Sequence, residues 1–186
     1  MAYEKPNYKV LQSDKPFEVR HYPGYLQASV VIEDDFENSG NKAFRILFAY
    51  ISGSNTPSQN IPMTIPVTQE TISKFQKIMA TSATQQKEKQ GYKIAFVMPA
   101  KWTLKTLPQP KDQRIQLEEV PSRTVAVVRY SGSWSRNNFE ESLSKLHQWM
   151  EKKNLKATGN PIWARYNSPF TLWFLRRNEI HIPIKS

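Results

Sequence analysis

The 186-residue sequence contains no cysteine, only six glycines and only three histidines. Without cysteine there are no disulfides, no thiolate metal sites and no thiol nucleophile, and the redox compartment stays open. So few glycines leave little to build a phosphate-cradling loop. The chain has no Walker loop, no dinucleotide fingerprint, no G-x-S-x-G elbow and no H-E-x-x-H pair. No apolar run approaches the ~20 residues of a membrane span, and the opening "MAYEKPNYKV" lacks the apolar stretch of a signal peptide. The expectation is a cytoplasmic chain without a membrane span, a removed leader staying open, and a protein that is not an enzyme.

What is present favours a packed core. Hydrophobic residues make up 39% and aromatics 12%, including five Trp, eight Tyr and nine Phe, which suits one domain spanning 1–186. The formal net charge is +10, but the cations are scattered, the tightest groups being "KEK" at Lys87, "EKK" at Glu151 and "RR" at Arg176. None forms a stripe on a recognition helix, so the charge reads as a basic solvated surface and not as a nucleic-acid site.

An internal repeat organises the rest. "FEVRHYP" from Phe17 overlays "IQLEEVP" from Ile115, with Phe17 on Ile115, Val19 on Leu117, Tyr22 on Val120 and Pro23 on Pro121. The match continues through Ala28 on Ala126, Val30 on Val128 and Phe36 on Trp134; after one inserted residue, Phe44, Leu47 and Ile51 fall on Leu143, Leu146 and Met150. Two halves, about 8–100 and 113–186, share one plan of strand, turn, strand and helix.

Local patterns agree. Leu26, Ala28, Val30 and Ile32 alternate with polar residues, the period of a strand with one wet face. Asp34 with Glu37 suggests a capping box, and Phe44, Leu47, Phe48 and Ile51 at helical spacing predict a helix over Asp35 to Ser52. Asn137 with Glu140 does the same for a helix over Asn138 to Asn154. "FTLWFLRRNEIHIPI" reads as a hairpin around "RRNE", with Ile180, Ile182 and Ile184 on one face and His181 toward water. In "NIPMTIPVTQE" from Asn60, strand periodicity places Ile61, Met63, Ile65 and Val67 on one face. Two prolines that cannot donate to a ladder mark it as an edge or bulged strand. A weaker copy, "QKIMATSATQQ" from Gln76, would pair with it as an irregular hairpin or form a loop.

"FEVRHYP", "IPMTIPVTQE", "FVMPAKWTLKTLPQPKDQRI" from Phe96, "YNSP" from Tyr166 and "RRNEI" from Arg176, in this order and spacing, closely resemble the SOUL haem-binding protein family over nearly the whole chain. The resemblance implies an α+β fold: a distorted antiparallel β-barrel or sheet with two long helices and an internal pseudo-two-fold repeat, akin to bacterial effector-binding domains. It also implies reversible binding of haem or metal-free porphyrin in an apolar groove beside the first helix. A porphyrin is a flat apolar disc with two carboxylates, so it needs greasy walls and cations at the rim. The groove residues implied are Phe44, Leu47 and Phe48 on the helix and Tyr166 on the "YNSP" loop. Lys42 and Arg45 stand in at the rim, where Asn41 and Ala49 occupy positions that carry cations in relatives. Read as a plain pattern, the same helical aromatics more often describe a core stripe than a groove.

For iron, His21 is the first candidate, since it shares strand parity with Phe17 and Val19, while a hydrogen-bonded surface role stays open. His147 is expected to pack on the second helix. Met63 and Met98 are soft enough to ligate, but methionine in alternating apolar strands is usually filler. Glu118 is expected to point outward and Glu119 to the apolar side near a strand end. The expected function is a tetrapyrrole buffer, carrier or sequestering protein, favoured as a monomer. The alternative is a module that binds another amphipathic small molecule.

Overall fold

Both strand, turn, strand, helix units form. The computed structural model describes residues 3–72, 90–168 and 170–185. In chain order they hold β1 (Lys9–Asp14), β2 (Phe17–Tyr22), β3 (Tyr25–Asp34), α1 (Phe36–Ile51), β4 (Asn55–Thr56), β5 (Val67–Ile72) and β6 (Gln90–Val97). Then follow β7 (Gln109–Pro110), β8 (Gln116–Val120), β9 (Arg123–Tyr130), α2 (Arg136–Lys152), β10 (Ile162–Arg165) and β11 (Asn178–Pro183). Nine strands form one antiparallel sheet in the order β1-β2-β9-β11-β10-β5-β6-β3-β8, and β4 pairs with β7 apart from it. The sheet is open, with β1 and β8 as its edges, so the barrel closure expected as one form of the fold is not made.

Leaving out β1, the strand order is palindromic. Exchanging β2 with β8, β3 with β9, β5 with β10 and β6 with β11 reproduces it, with the centre between β10 and β5. α1 lies on β3 and β6, and α2 lies on their counterparts β9 and β11. The outer pairings cross over, because β2 binds β9 and β8 binds β3. Repeat-related positions are buried alike: Ala28 with Ala126, Val30 with Val128, Leu47 with Leu146, Ile51 with Met150. Under α1 they join Tyr50, Ile94, Phe96 and Trp163, and under α2 they join Trp149, Ile180, Ile182 and Ile184. Fully burying a side chain such as Leu47 or Leu146 contributes about 1.5–3 kcal/mol relative to exposure.

The caps fall one or two residues from their expected places. Asp35, not Asp34, caps α1 by accepting from the Asn38 amide at 2.8 Å, while Asp34 accepts from the Asp35 amide and pairs with Lys42. Ser135 caps α2 through the Asn138 amide, so both asparagines of the expected start lie inside the helix. "FTLWFL" is not a strand: Trp173–Leu175 is a 3-10 turn, and β11 pairs with β10 and β9 instead. Residues 61–66 form no ladder strand; the chain joins the sheet only at Val67, directly after Pro66, and β5 is then interior, between β10 and β6. The 76–86 copy lies outside the described residues. No described helix is long and apolar enough to cross a membrane.

Candidate functional site

A cleft of about 670 Å³ opens at the end of the sheet where β3 begins and β6 ends. β3 and β6 stay paired up to Gln27 and Val97, and the Met98 amide still donates to the Leu26 carbonyl at 2.8 Å. Pro99, which has no N–H, then lets the chain leave the sheet. Thr103 and Thr106 bond each other through hydroxyls and amides, and this turn holds Trp102 and Leu104 over the opening. The opposite wall is the segment Glu4–Asn7, fixed when the Ala100 amide donates to the Glu4 carboxylate at 2.8 Å and the Ile65 amide to the Glu4 carbonyl at 2.9 Å. The Thr64 hydroxyl donates to the Val97 carbonyl beneath. Tyr25, Leu26, Val97, Met98, Trp102 and Leu104 make the apolar walls, with Lys5, Lys105, Glu4 and Glu119 at the rim.

Two of the quoted motifs therefore supply much of the cleft, "IPMTIP" through Thr64 and "FVMPAKW" through the wall from Val97 to Trp102, and "FEVRHYP" adds Pro23 at its end. The rest of "FEVRHYP" and the other two motifs meet elsewhere, on the sheet face opposite the helices. Glu179 is 0% exposed and is held by Arg20 at 2.8 and 3.2 Å, by Arg177 at 2.6 and 2.9 Å and by His181 Nε2 at 2.8 Å. Arg20 also reaches Glu18 at 2.6 Å and lies 4.4 Å from the Tyr8 ring, while Arg177 lies 4.3 Å from the Tyr166 ring. The Asn167 side-chain oxygen accepts from the Arg177 amide at 2.6 Å. "FEVRHYP", "YNSP" and "RRNEI" thus converge on one buried ion cluster.

Burial alone would raise the Glu179 carboxyl, but bonds from His181 and Arg20 outweigh it and hold the group well below the usual carboxylate range. Burial wins at His181, lowering its imidazole below its ordinary value although Glu179 pulls the other way. Burial likewise pushes Tyr22 up to about 12 and Tyr166 well above the usual phenol range. A narrow hollow lined by Tyr22, Tyr166, His181 and Arg123 shares Pro6, Tyr25 and Val97 with the main cleft, so cluster and cleft are neighbours.

The residues expected at the site are dispersed. Leu47 is sealed in the core. Phe44 stacks on Phe48 with ring centroids 5.6 Å apart and meets Phe96 edge-on at 5.5 Å; it is half-buried, and Phe48 is 47% exposed. Arg45 is exposed on the same helix, and Lys42 is spent on Asp34. Met63 packs part-buried against the core under α1. Tyr166 borders the narrow hollow. His21 lies on β2 with its ring nitrogens 3.3 Å from the Thr124 hydroxyl and 3.1 Å from that of Ser122. His147 is exposed and does not pack, because it falls on the outer face of α2, one residue past buried Leu146. His181 is buried rather than facing water, because the sheet is covered on both sides at β11. Glu119 does border the cleft, and Glu118, on the other face, bonds Gln27, Ser29 and Lys93.

Sequence reasoning missed Arg20, Arg177 and Glu179 as a unit, and it missed Trp102 and Leu104. It also missed Arg165, a buried guanidinium lowered to about 10 by burial and lying 4.7 Å from the Trp163 ring and 5.4 Å from that of Trp134. The one available signal for the ion cluster was charged residues alternating with isoleucine in "NEIHIPI".

An open antiparallel sheet carrying two helices, duplicated and hollowed at one end, is an effector-binding-domain-like fold. The C-terminal domain of EcmrR has this fold, with a TM-score of 0.67 at 13% identity, covering 96% of this chain and 98% of that one. A hydrolase from Listeria innocua aligns at 0.62 and 10% identity over 94% of each chain. SAV2435 bound to tetraphenylphosphonium aligns at 0.52 and 9% identity over 91% of this chain and 94% of that one. Among curated proteins, sequence comparison finds no match. The family model of SOUL heme-binding protein matches residues 3–183, and the chain belongs to that family.

Proposed function

We propose that the protein binds a tetrapyrrole, haem or its metal-free porphyrin, in the cleft between Glu4–Asn7 and the 98–105 loop, and buffers or carries it. The observation that carries this reading is the cleft itself. Its volume of about 670 Å³ lies within the ~300–1,000 Å³ typical of small-molecule sites, and its aromatic and aliphatic walls carry lysines at the rim. The lining fits the group: Tyr25, Leu26, Trp102 and Leu104 suit an apolar disc, and Lys5 and Lys105 suit its carboxylates. Haem bound there would supply a redox-active iron. A binding role, and not an enzymatic one, accords with Glu179, whose oxygens are engaged by three cationic or N–H donors and are poorly placed to act as a general base.

Hemin titration should give a saturable Soret change near one equivalent, and protoporphyrin should bind in parallel. Trp102→Ala should weaken both by about tenfold or more, as expected for an aromatic anchor. The exposed Phe44 and Phe48 pair on α1 is the competing place. Loss of binding in Phe44→Ala with Phe48→Ala, and not in Trp102→Ala, would move the ligand to that helix. A spectrum altered by His21→Ala would assign iron ligation to β2, and spectra unchanged throughout the titration would end the tetrapyrrole reading.

A second reading rests on the same cleft, with Glu4 and Glu119 at its rim and a like-folded protein bound to a lipophilic cation. Here tetraphenylphosphonium, in place of hemin, would raise the melting temperature.

A further inference from the structure

Five large apolar side chains stand exposed together on the connection from β10 to β11. Phe170 is 96% exposed, and Leu172, Trp173, Phe174 and Leu175 are each more than half exposed. Single exposed apolar residues are ordinary, but a contiguous patch marks an interaction surface. The backbone beneath them is braced. The Thr171 amide donates to the Ser168 carbonyl at 3.0 Å, the Leu175 amide to Leu172 at 2.9 Å, and the Gly132 amide to Trp173 at 3.1 Å. Arg176 Nε donates to the Thr171 carbonyl at 2.8 Å, and its guanidinium lies 4.3 Å from the Trp134 ring. The apolar groups are therefore presented by a hydrogen-bonded frame.

The adjoining sequence is basic. No Asp or Glu occurs from 120 to 139 or from 152 to 178, the two stretches joined by the bond from Gly132 to Trp173; Arg129 is exposed and Arg176 braces the loop, while Arg136 is paired with Glu140 and Arg177 with Glu179. A groove on a partner protein would read a helix face at i, i+3, i+4 or the alternate residues of a strand. Five exposed apolar residues among six consecutive positions follow neither period. Trp, Phe and Leu on a basic stretch of chain match a lipid interface, where aromatic rings sit among headgroups and anionic lipids attract cations.

We propose that the 170–175 loop docks the protein on anionic bilayers, with Trp173 and its neighbours entering the headgroup region. This inference is independent of the tetrapyrrole reading. Vesicle co-sedimentation of the full chain tests it, using phosphatidylcholine vesicles with and without 30% phosphatidylserine, a composition on the order of an anionic leaflet. Binding is expected with phosphatidylserine, falling with added salt, and lost by at least about tenfold in Leu172→Ser/Trp173→Ser/Phe174→Ser. Melting temperature and hemin titration should be unchanged in that variant, because these side chains touch solvent. Trp173→Phe should retain binding but lose the quenching of tryptophan emission by brominated lipid. Binding that the triple variant keeps, or no binding at any phosphatidylserine content, overturns the proposal. So does a wild-type dimer that the variant abolishes without any vesicle binding, which would make the loop a contact between copies.

Discussion

Glu179 shows how much one side chain can hold. It anchors Arg20 from β2, Arg177 from just before β11 and His181 from its own strand, so removing its charge leaves buried Arg20 with Glu18 alone and takes from Arg177 this counter-ion. Glu179→Gln should cost about 3–5 kcal/mol in urea denaturation, the range for breaking a buried pair from one side. The cluster also sets the acid response. His181 is held below its ordinary 6.5, so the unfolded chain takes up a proton that the folded chain refuses, and stability fades as pH falls through about 6.5. Glu179 is held well below its ordinary 4.5, so a second loss begins as pH falls below about 4.5. Melting curves from pH 8 to 3 should show both limbs, and His181→Gln should remove the upper one and shrink the lower, because His181 helps hold Glu179 down.

At the scale of elements, helices and strands were legible wherever a single periodicity governed them. Leu47 and Ile51 marked the buried stripe of α1, and Ala28 and Val30 marked the helix-facing side of β3. Capping was blurred because adjacent residues compete: Asp34 and Asp35 are both good caps, and only the geometry shows that Asp35 reaches Asn38. Asp35→Ala should destabilise the protein by about 1 kcal/mol, against a few tenths or less for Asp34→Ala, measured by chemical denaturation. β11 was misread on its second face because alternation normally means one wet side, whereas here Arg20, Tyr22 and Tyr166 cover His181 and Glu179. The cleft was the least legible part. Its walls come from residues 4–7, 23–26 and 98–105, which are brought together by the β3 and β6 pairing and have no common spacing in the sequence.

For the whole molecule, the repeat read from "FEVRHYP" and "IQLEEVP" foretold two equivalent helix and strand layers, but not that their leading strands trade places. β2 completes the sheet of the second half, and β8 completes that of the first. Cutting the chain in the exposed turn after Asp112 would therefore give two fragments, 1–112 and 113–186, each carrying a strand whose ladder partner is on the other. Neither should melt cooperatively alone, and mixing them should yield a tight one-to-one heterodimer by light scattering, with the native circular dichroism restored. The crossed strands would then act as a clasp, turning an intramolecular duplication into a system for split-protein reconstitution.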